Sequence, residues 1–281
     1  FHLAVCVDDA LMKVTHVVRG EDHLSNTPKH ILLLKAMGYT PPQYGHLSLV
    51  HGKGGEPLSK RLDSISIHMF RRRGYMPEAL ANYIALLGWS PGENREIVGW
   101  DELQKIFDIS RVSKSSSNYD DQKLDWVNGQ HFRHMPTEEF VKRAFAYLKE
   151  QKMMEGLDEK LVLAILPVLQ DNIERFEQLG DRLTFLKDDF GYENEGLVKS
   201  AEAREIFEQA LQVLPGVTGA AETLYDNFLN ALKPRVKAKG KNLFMPLRVA
   251  LTGREHGPEL KRLFPALGMD RIKRRFQRTL G

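Results

Sequence analysis

The sequence holds a single cysteine, Cys6, in 281 residues. That excludes an internal disulfide and any cysteine-rich zinc site, so no zinc is expected, and it suits a reducing compartment. Long apolar runs are missing too. No stretch of about 20 uncharged residues exists, the length a spanning helix needs, and no signal-peptide pattern opens the chain. An aqueous, cytoplasmic setting without a membrane partner is therefore expected. No G-x-x-x-x-G-K-[ST] string is present, which excludes a Walker loop. Internal repeats and low-complexity linkers are absent, and the first residue is Phe1 rather than methionine. The length exceeds one average domain and suggests about two compact units.

Acidic residues are scarce at one end. Residues 233–281 hold 14 Lys/Arg against 3 Asp/Glu, whereas residues 1–232 hold 26 against 34, so the net charge of +3 divides into +11 and −8. Such asymmetry marks a polyanion-facing end, with nucleic acid the usual polyanion, although a solvated helix face accounts for it equally well.

The first fifty residues alternate strand and helix signals. The apolar run Leu3 to Val7 reads as a strand ended by Asp8-Asp9, and Thr15 to Arg19 reads as a second. A helix follows, with Thr27 placed to cap it, Pro28 in its first turn, Ile31 to Leu34 feeding its buried face and Gly38 ending it. The extended run Tyr44 to Val50 then leads into the loop Gly52-Lys53-Gly54-Gly55. This order suits an open α/β sheet with a covering helix. From about residue 64 the pattern is helical. Pro77 opens a helix that Gly88 stops, and a serine-rich turn at 113–117 precedes Leu124 to Gly129. Thr137 is placed to cap a helix carrying Phe140, Ala144 and Leu148, and amphipathic stretches continue past residues 161, 203, 222 and 243. In the last, Asp270 to Leu280, Ile272, Phe276 and Leu280 line one face while Arg271, Lys273, Arg274, Arg275 and Arg278 occupy the others.

Two clusters could carry chemistry. In the loop from Gly52 to Arg61, glycines allow close backbone approach and Ser59-Lys60-Arg61 adds a hydroxyl and two cations, which suits phosphate. A hairpin loop followed by an exposed basic pair fits the same residues. The second cluster, Arg19-Gly20-Glu21-Asp22-His23, follows a strand, where open α/β sheets gather ligand-binding groups. Arginine can grip a carboxylate or phosphate through paired hydrogen bonds, and acids can take an amine or a ribose hydroxyl. A polar turn with a structural histidine is the plain alternative.

Taken in order, several strings resemble the bacterial-type class I glutamyl-tRNA synthetases. They are Val7-Asp8-Asp9, Thr15 through Pro28, Leu58-Ser59-Lys60-Arg61, Gly74 through Leu80, Leu86-Leu87-Gly88-Trp89-Ser90, and Leu247 through Gly253. The resemblance covers essentially the whole chain. It implies an α/β plus all-α fold: the second half of a Rossmann-like catalytic domain over 1–56, a signature loop and stem-contact domain over 57–135, and a helical anticodon-binding cage in two subdomains, 136–195 and 196–281. It implies ATP-dependent activation of L-glutamate, with ATP as its Mg2+ complex, and transfer to the 3′-terminal adenosine of glutamate tRNA by a monomer.

Leu58-Ser59-Lys60-Arg61 is similar to the class signature called KMSKS, making Lys60, with Ser59 and Arg61, the catalytic group on the departing phosphates. Leu58, Ser59, Lys60 and Glu21 are then expected at ATP. Arg19 matches the arginine that meets the glutamate substrate, and Asp22 and His23 shape the pocket. Phe1 stands where many members carry a substrate-contacting tyrosine, so a hydroxyl is missing there. Arg175 and Arg248 match anticodon-contacting positions. The other class signature, a HIGH-like motif, occurs nowhere in the chain, so adenylation by these residues alone is not expected. A non-catalytic tRNA-binding module is the alternative.

Overall fold

The computed structural model describes residues 1–52, 66–187 and 189–281. The chain separates into two compact units, the first comprising Phe1–Phe70 and Tyr75–Asn128, the second Arg71–Gly74 and Gly129–Gly281.

Unit 1 opens with α1 (His2–Leu11), where a strand was expected. The burial pattern gives the reason. His2, Val5, Cys6, Asp9 and Ala10 are sheltered at the spacing i, i+3, i+4, i+7, i+8, with Val7 partly sheltered beside them, while Leu3 and Ala4 face out. A five-residue apolar run does not reveal its own period, and the stripe that is buried includes the polar His2 and Asp9. β1 (His16–Gly20) and β2 (Gln43–Leu47) pair in parallel, from His16 opposite Gln43 to Gly20 opposite Leu47. The crossover between them is a 3-10 segment, Glu21–Asn26, followed by α2 (Thr27–Ala36). Thr27 is the first helical residue rather than the cap. Its hydroxyl is turned to His46 Nε2 at 2.9 Å and to Arg19.

β3 (Val50–His51) pairs in parallel with β4 (Ser117–Asn118). Between them lie α3 (Ile67–Arg72), α4 (Pro77–Leu86) and α5 (Trp100–Ile106). α6 (Asp121–His134) follows. Phe70, Tyr75, Leu80, Tyr83, Leu124 and Val127 form one core, and Trp89, Val98 and Leu103 a second. Asn82, fully buried, joins them to the chain beyond α4: its amide donates to Glu96 O and its carbonyl accepts from Val98 N, both at 3.0 Å. A buried amide with both ends paired carries no desolvation debt.

Among its described residues unit 2 has helices and no strand. It contains α7 (Thr137–Glu150), α8 (Glu159–Leu169), the short α9 (Leu179–Arg182) and α10 (Gly196–Lys199), α11 (Ala201–Val213), α12 (Ala221–Leu232), α13 (Lys241–Thr252), α14 (Leu260–Leu267) and α15 (Met269–Leu280). Side-chain caps come from Asp158 and Ser200, which accept from Leu161 N and Ala203 N. α7 instead starts after Pro136, without the cap expected of Thr137. Phe132, Phe140 and Tyr147 close around Phe176, with ring centroids 4.5 to 5.7 Å away. Farther along, Phe207, Phe228, Phe264 and Phe276 are all fully buried.

Gly74 is held to this first aromatic cluster by backbone contact. At φ +75° its ideal Cβ would lie 2.5 Å from Phe176 Cβ and 2.9 Å from Phe176 N, and its carbonyl accepts from that N at 3.3 Å. Only glycine fits there.

Candidate functional site

Arg19 leaves β1 near its carboxyl end and is held by neutral acceptors. Its Nη2 donates to Thr27 Oγ1 at 2.8 Å and to His23 O at 3.4 Å, and its Nη1 lies 3.3 Å from His30 Nδ1. The guanidinium also stands over the Tyr44 ring, 5.2 Å from its centroid. No carboxylate lies within ion-pair distance of Arg19 among the described residues. The cation is thus oriented without being neutralised, the condition a site for an anionic group requires.

Two further donors, Arg19 Nε and the Tyr44 hydroxyl, are buried without a hydrogen-bond partner among the described residues. An unpaired buried donor costs roughly 1 to 3 kcal/mol.

Phe1 stacks on His23 at 6.0 Å, so the structure brings Phe1, Arg19 and His23 together. Asp22 lies 3.8 Å from His23 Nε2. Glu21 is turned toward the chain after β2, its Oε1 3.5 Å from Leu49 N. Leu58, Ser59, Lys60 and Arg61 lie outside the described residues. Among the described residues no group of three or more His, Cys, Asp or Glu could hold a metal ion, and no helix is long and apolar enough to cross a membrane.

The sequence reading missed His2, His30, Thr27 and Tyr44 as members of this cluster. One signal was available: six of the ten histidines fall in the first 51 residues. Which of them meet is decided by the packing of α1 on α2 and β1, which no local pattern records.

In unit 2, Arg175 sits on extended backbone (φ −144°, ψ 145°), not on a helix. Buried Ile173 and Phe176 bracket it. Its Nε lies 3.8 Å from Glu177 Oε2, which is also 3.6 Å from Arg73 Nε. Nearby, burial and then the charges of Glu177 and Glu150 push the Tyr147 hydroxyl up to about 12, and it donates to Arg72 O at 2.5 Å. Arg248, half-buried on α13, donates to Pro258 O at 2.6 Å and so supports the turn leading to α14.

The basic face expected of α15 is divided. Arg274 is exposed, but Arg275 is 3% exposed and donates to Phe185 O at 2.5 Å and to Leu251 O, with its guanidinium over the rings of Phe185 and Phe190. Arg271 and Arg278 donate to Leu186 O and Phe190 O at 2.9 and 2.6 Å. Carbonyls at the ends of helices and turns need donors, and a cation suits them best. Three of the five basic residues on this helix therefore hold backbone in place.

Residues 1–126 match the family model described as tRNA synthetases class I (E and Q), catalytic domain, and residues 139–280 match the anticodon binding domain. The chain thus joins part of a class I tRNA synthetase catalytic domain of the E and Q type to an anticodon-binding domain, and over the latter it belongs to the anticodon-binding family. Within that class its relatives are glutamate–tRNA ligases. That of Heliobacterium modesticaldum is 38% identical over 99% of this chain and 58% of its own length. That of Bacillus thuringiensis is 39% identical over 100% and 60%. A solved glutamate tRNA ligase from Elizabethkingia meningosepticum, in complex with its amino acid, has a TM-score of 0.81 at 28% identity, covering all of this chain and 59% of that one. The chain spans about 60% of the length of the curated relatives it matches.

Proposed function

We propose that the chain is part of a glutamate–tRNA ligase, which activates L-glutamate with ATP to glutamyl-adenylate and transfers it to the 3′-terminal adenosine of glutamate tRNA. The observation that carries this reading is Arg19: a cation aimed by neutral acceptors, in a stretch matched to a class I catalytic domain, on a chain that also matches an anticodon-binding domain.

In this reading Arg19 takes the side-chain carboxylate of glutamate, Phe1 flanks it, and Asp22 and His23 shape the pocket. Glu21 and Leu58 contact ATP, which enters with Mg2+. Lys60, with Ser59 and Arg61, stabilises charge on the leaving pyrophosphate. A positioned cation of that kind is worth about 3 kcal/mol of barrier, or roughly 100-fold in rate. Arg175 and Arg248 approach the anticodon, where unpaired bases expose their edges to arginine.

The test is glutamate-dependent ATP–pyrophosphate exchange and charging of glutamate tRNA by the intact protein. Exchange and charging are expected, both slowed about 100-fold by Lys60→Ala. Tight tRNA binding with no exchange would make the protein a binding module instead.

A further inference from the structure

His30 is the only fully buried histidine among the described residues, and it stands between His2 on α1 and Arg19 on β1. Its protonation can be worked out from its neighbours. Arginine has no lone pair, so across the 3.3 Å to His30 Nδ1 it is Arg19 Nη1 that donates and the imidazole that accepts. A neutral ring with a free lone pair on Nδ1 carries its proton on Nε2. From there it donates to His2 Nδ1 at 2.9 Å. His2 must then keep its own lone pair on Nδ1 and its proton on Nε2. Burial, with Arg19 and His2 alongside, holds the His30 imidazole below its ordinary range and favours the same neutral form.

The other anchors of Arg19 do not duplicate this contact. Thr27 Oγ1 and His23 O both receive Nη2, so among the described residues His30 alone sets the direction of Nη1. Two fixed nitrogens define the plane of a guanidinium, and that plane decides whether a carboxylate is met through two hydrogen bonds or one. Cys6 ties the segment further, its thiol 3.7 Å from His30 O.

We propose that His30 is a positioning residue for Arg19: its Nδ1 lone pair sets the plane of the guanidinium, and His2 holds His30 in the tautomer that keeps that lone pair free. The pair acts on carboxylate recognition without touching the amino acid. This rests on the reading of Arg19 as the carboxylate-binding cation.

The experiment is steady-state amino-acid activation by the intact protein, comparing KM for glutamate with kcat and with KM for ATP. His30→Leu removes the acceptor and should raise the glutamate KM about tenfold or more, the effect of one hydrogen bond to a charged group, with kcat and the ATP KM nearly unchanged. His30→Gln should restore a near-normal KM, because its Oε1 can accept from Arg19 while its Nε2 donates to His2. In an Arg19→Lys background, His30→Leu should add little, since the two changes act on one interaction. A glutamate KM raised by Arg19→Lys but unmoved by His30→Leu would overturn the proposal and leave the reading of Arg19 standing. A glutamate KM indifferent to Arg19→Lys would overturn both. An equal loss in all three constants, unrescued by His30→Gln, would make His30 a structural residue and also overturn it. Should His30→Leu not fold, His2→Leu at its half-buried position carries the test. The same rise confined to the glutamate KM is expected, and no rise overturns the proposal.

Discussion

The first fifty residues and the helical unit 2 treat apolar surface in opposite ways. Nine large apolar side chains between Phe1 and Leu47 are exposed, among them Met12 and Leu32 at more than two-thirds, whereas among the described residues of unit 2 Leu163 is the one exposed large apolar side chain. Antiparallel helices close a core by local packing, and unit 2 does so with six fully buried phenylalanines. A parallel strand pair is normally covered on both faces, and two strands do not make a self-sufficient sheet. Arg19, the cation with the clearest chemical setting, stands on the open scaffold. The arginines of α15 stand on the closed one.

The two regions also use arginine differently. Arg275 is held by carbonyls and ring faces, so Arg275→Ala should strand the Leu251 and Phe185 carbonyls and destabilise unit 2 by roughly 2 to 6 kcal/mol, at about 1 to 3 per orphaned buried acceptor. Arg274→Ala should change stability by less than about 0.5 kcal/mol while lowering salt-dependent tRNA affinity. Thermal melts and filter binding across a salt series separate the two. Equal effects from the two changes would erase the distinction drawn between them.

A smaller effect is expected at Arg175. If it reads an anticodon base, Arg175→Gln should relax the choice of glutamate tRNA over glutamine tRNA by about 1 to 3 kcal/mol. Charging assays with both tRNAs check this, and an equal loss on both would assign Arg175 to support of the Arg73–Glu177 cluster.

The smallest expected effect is on pH. His30 is held below its ordinary value of 6.5, so the unfolded chain binds a proton there more readily than the folded one. Its contribution to stability is complete above about pH 6.5, falls as the pH drops below that value, and levels off once the folded imidazole itself titrates. Melting curves between pH 7.5 and 5.5 should show a slope that His30→Gln reduces; an identical slope in that variant would remove His30 as its source.

Much of this was legible in the residues, and the failures share a cause. Ile272 and Phe276 repeat at helical spacing and are buried on α15 as that spacing demands, and Pro77 opens α4. α1 departs from the expected strand because Leu3 and Ala4, which open the apolar run, are left exposed. Thr27 and Thr137 have a capping residue's composition, but Thr27 is drawn to Arg19 and Pro136 occupies the cap of α7. Arg275 looked like part of a solvated face because nothing in one helix records the carbonyls of Phe185 and Leu251 that reach it. Periodicity reports what an element does alone. Long-range polar contacts, on which both the Arg19 cluster and the α15 clamp depend, leave no local trace.

The central claim is that Arg19 recognises a carboxylate, and the most direct measurement is the preference for glutamate over its neutral isostere glutamine in amino-acid activation by the intact protein. A strong preference for glutamate is expected, which Arg19→Leu abolishes with the ATP KM unchanged, because an uncharged side chain at 19 can no longer distinguish the two. A preference that survives Arg19→Leu would contradict it.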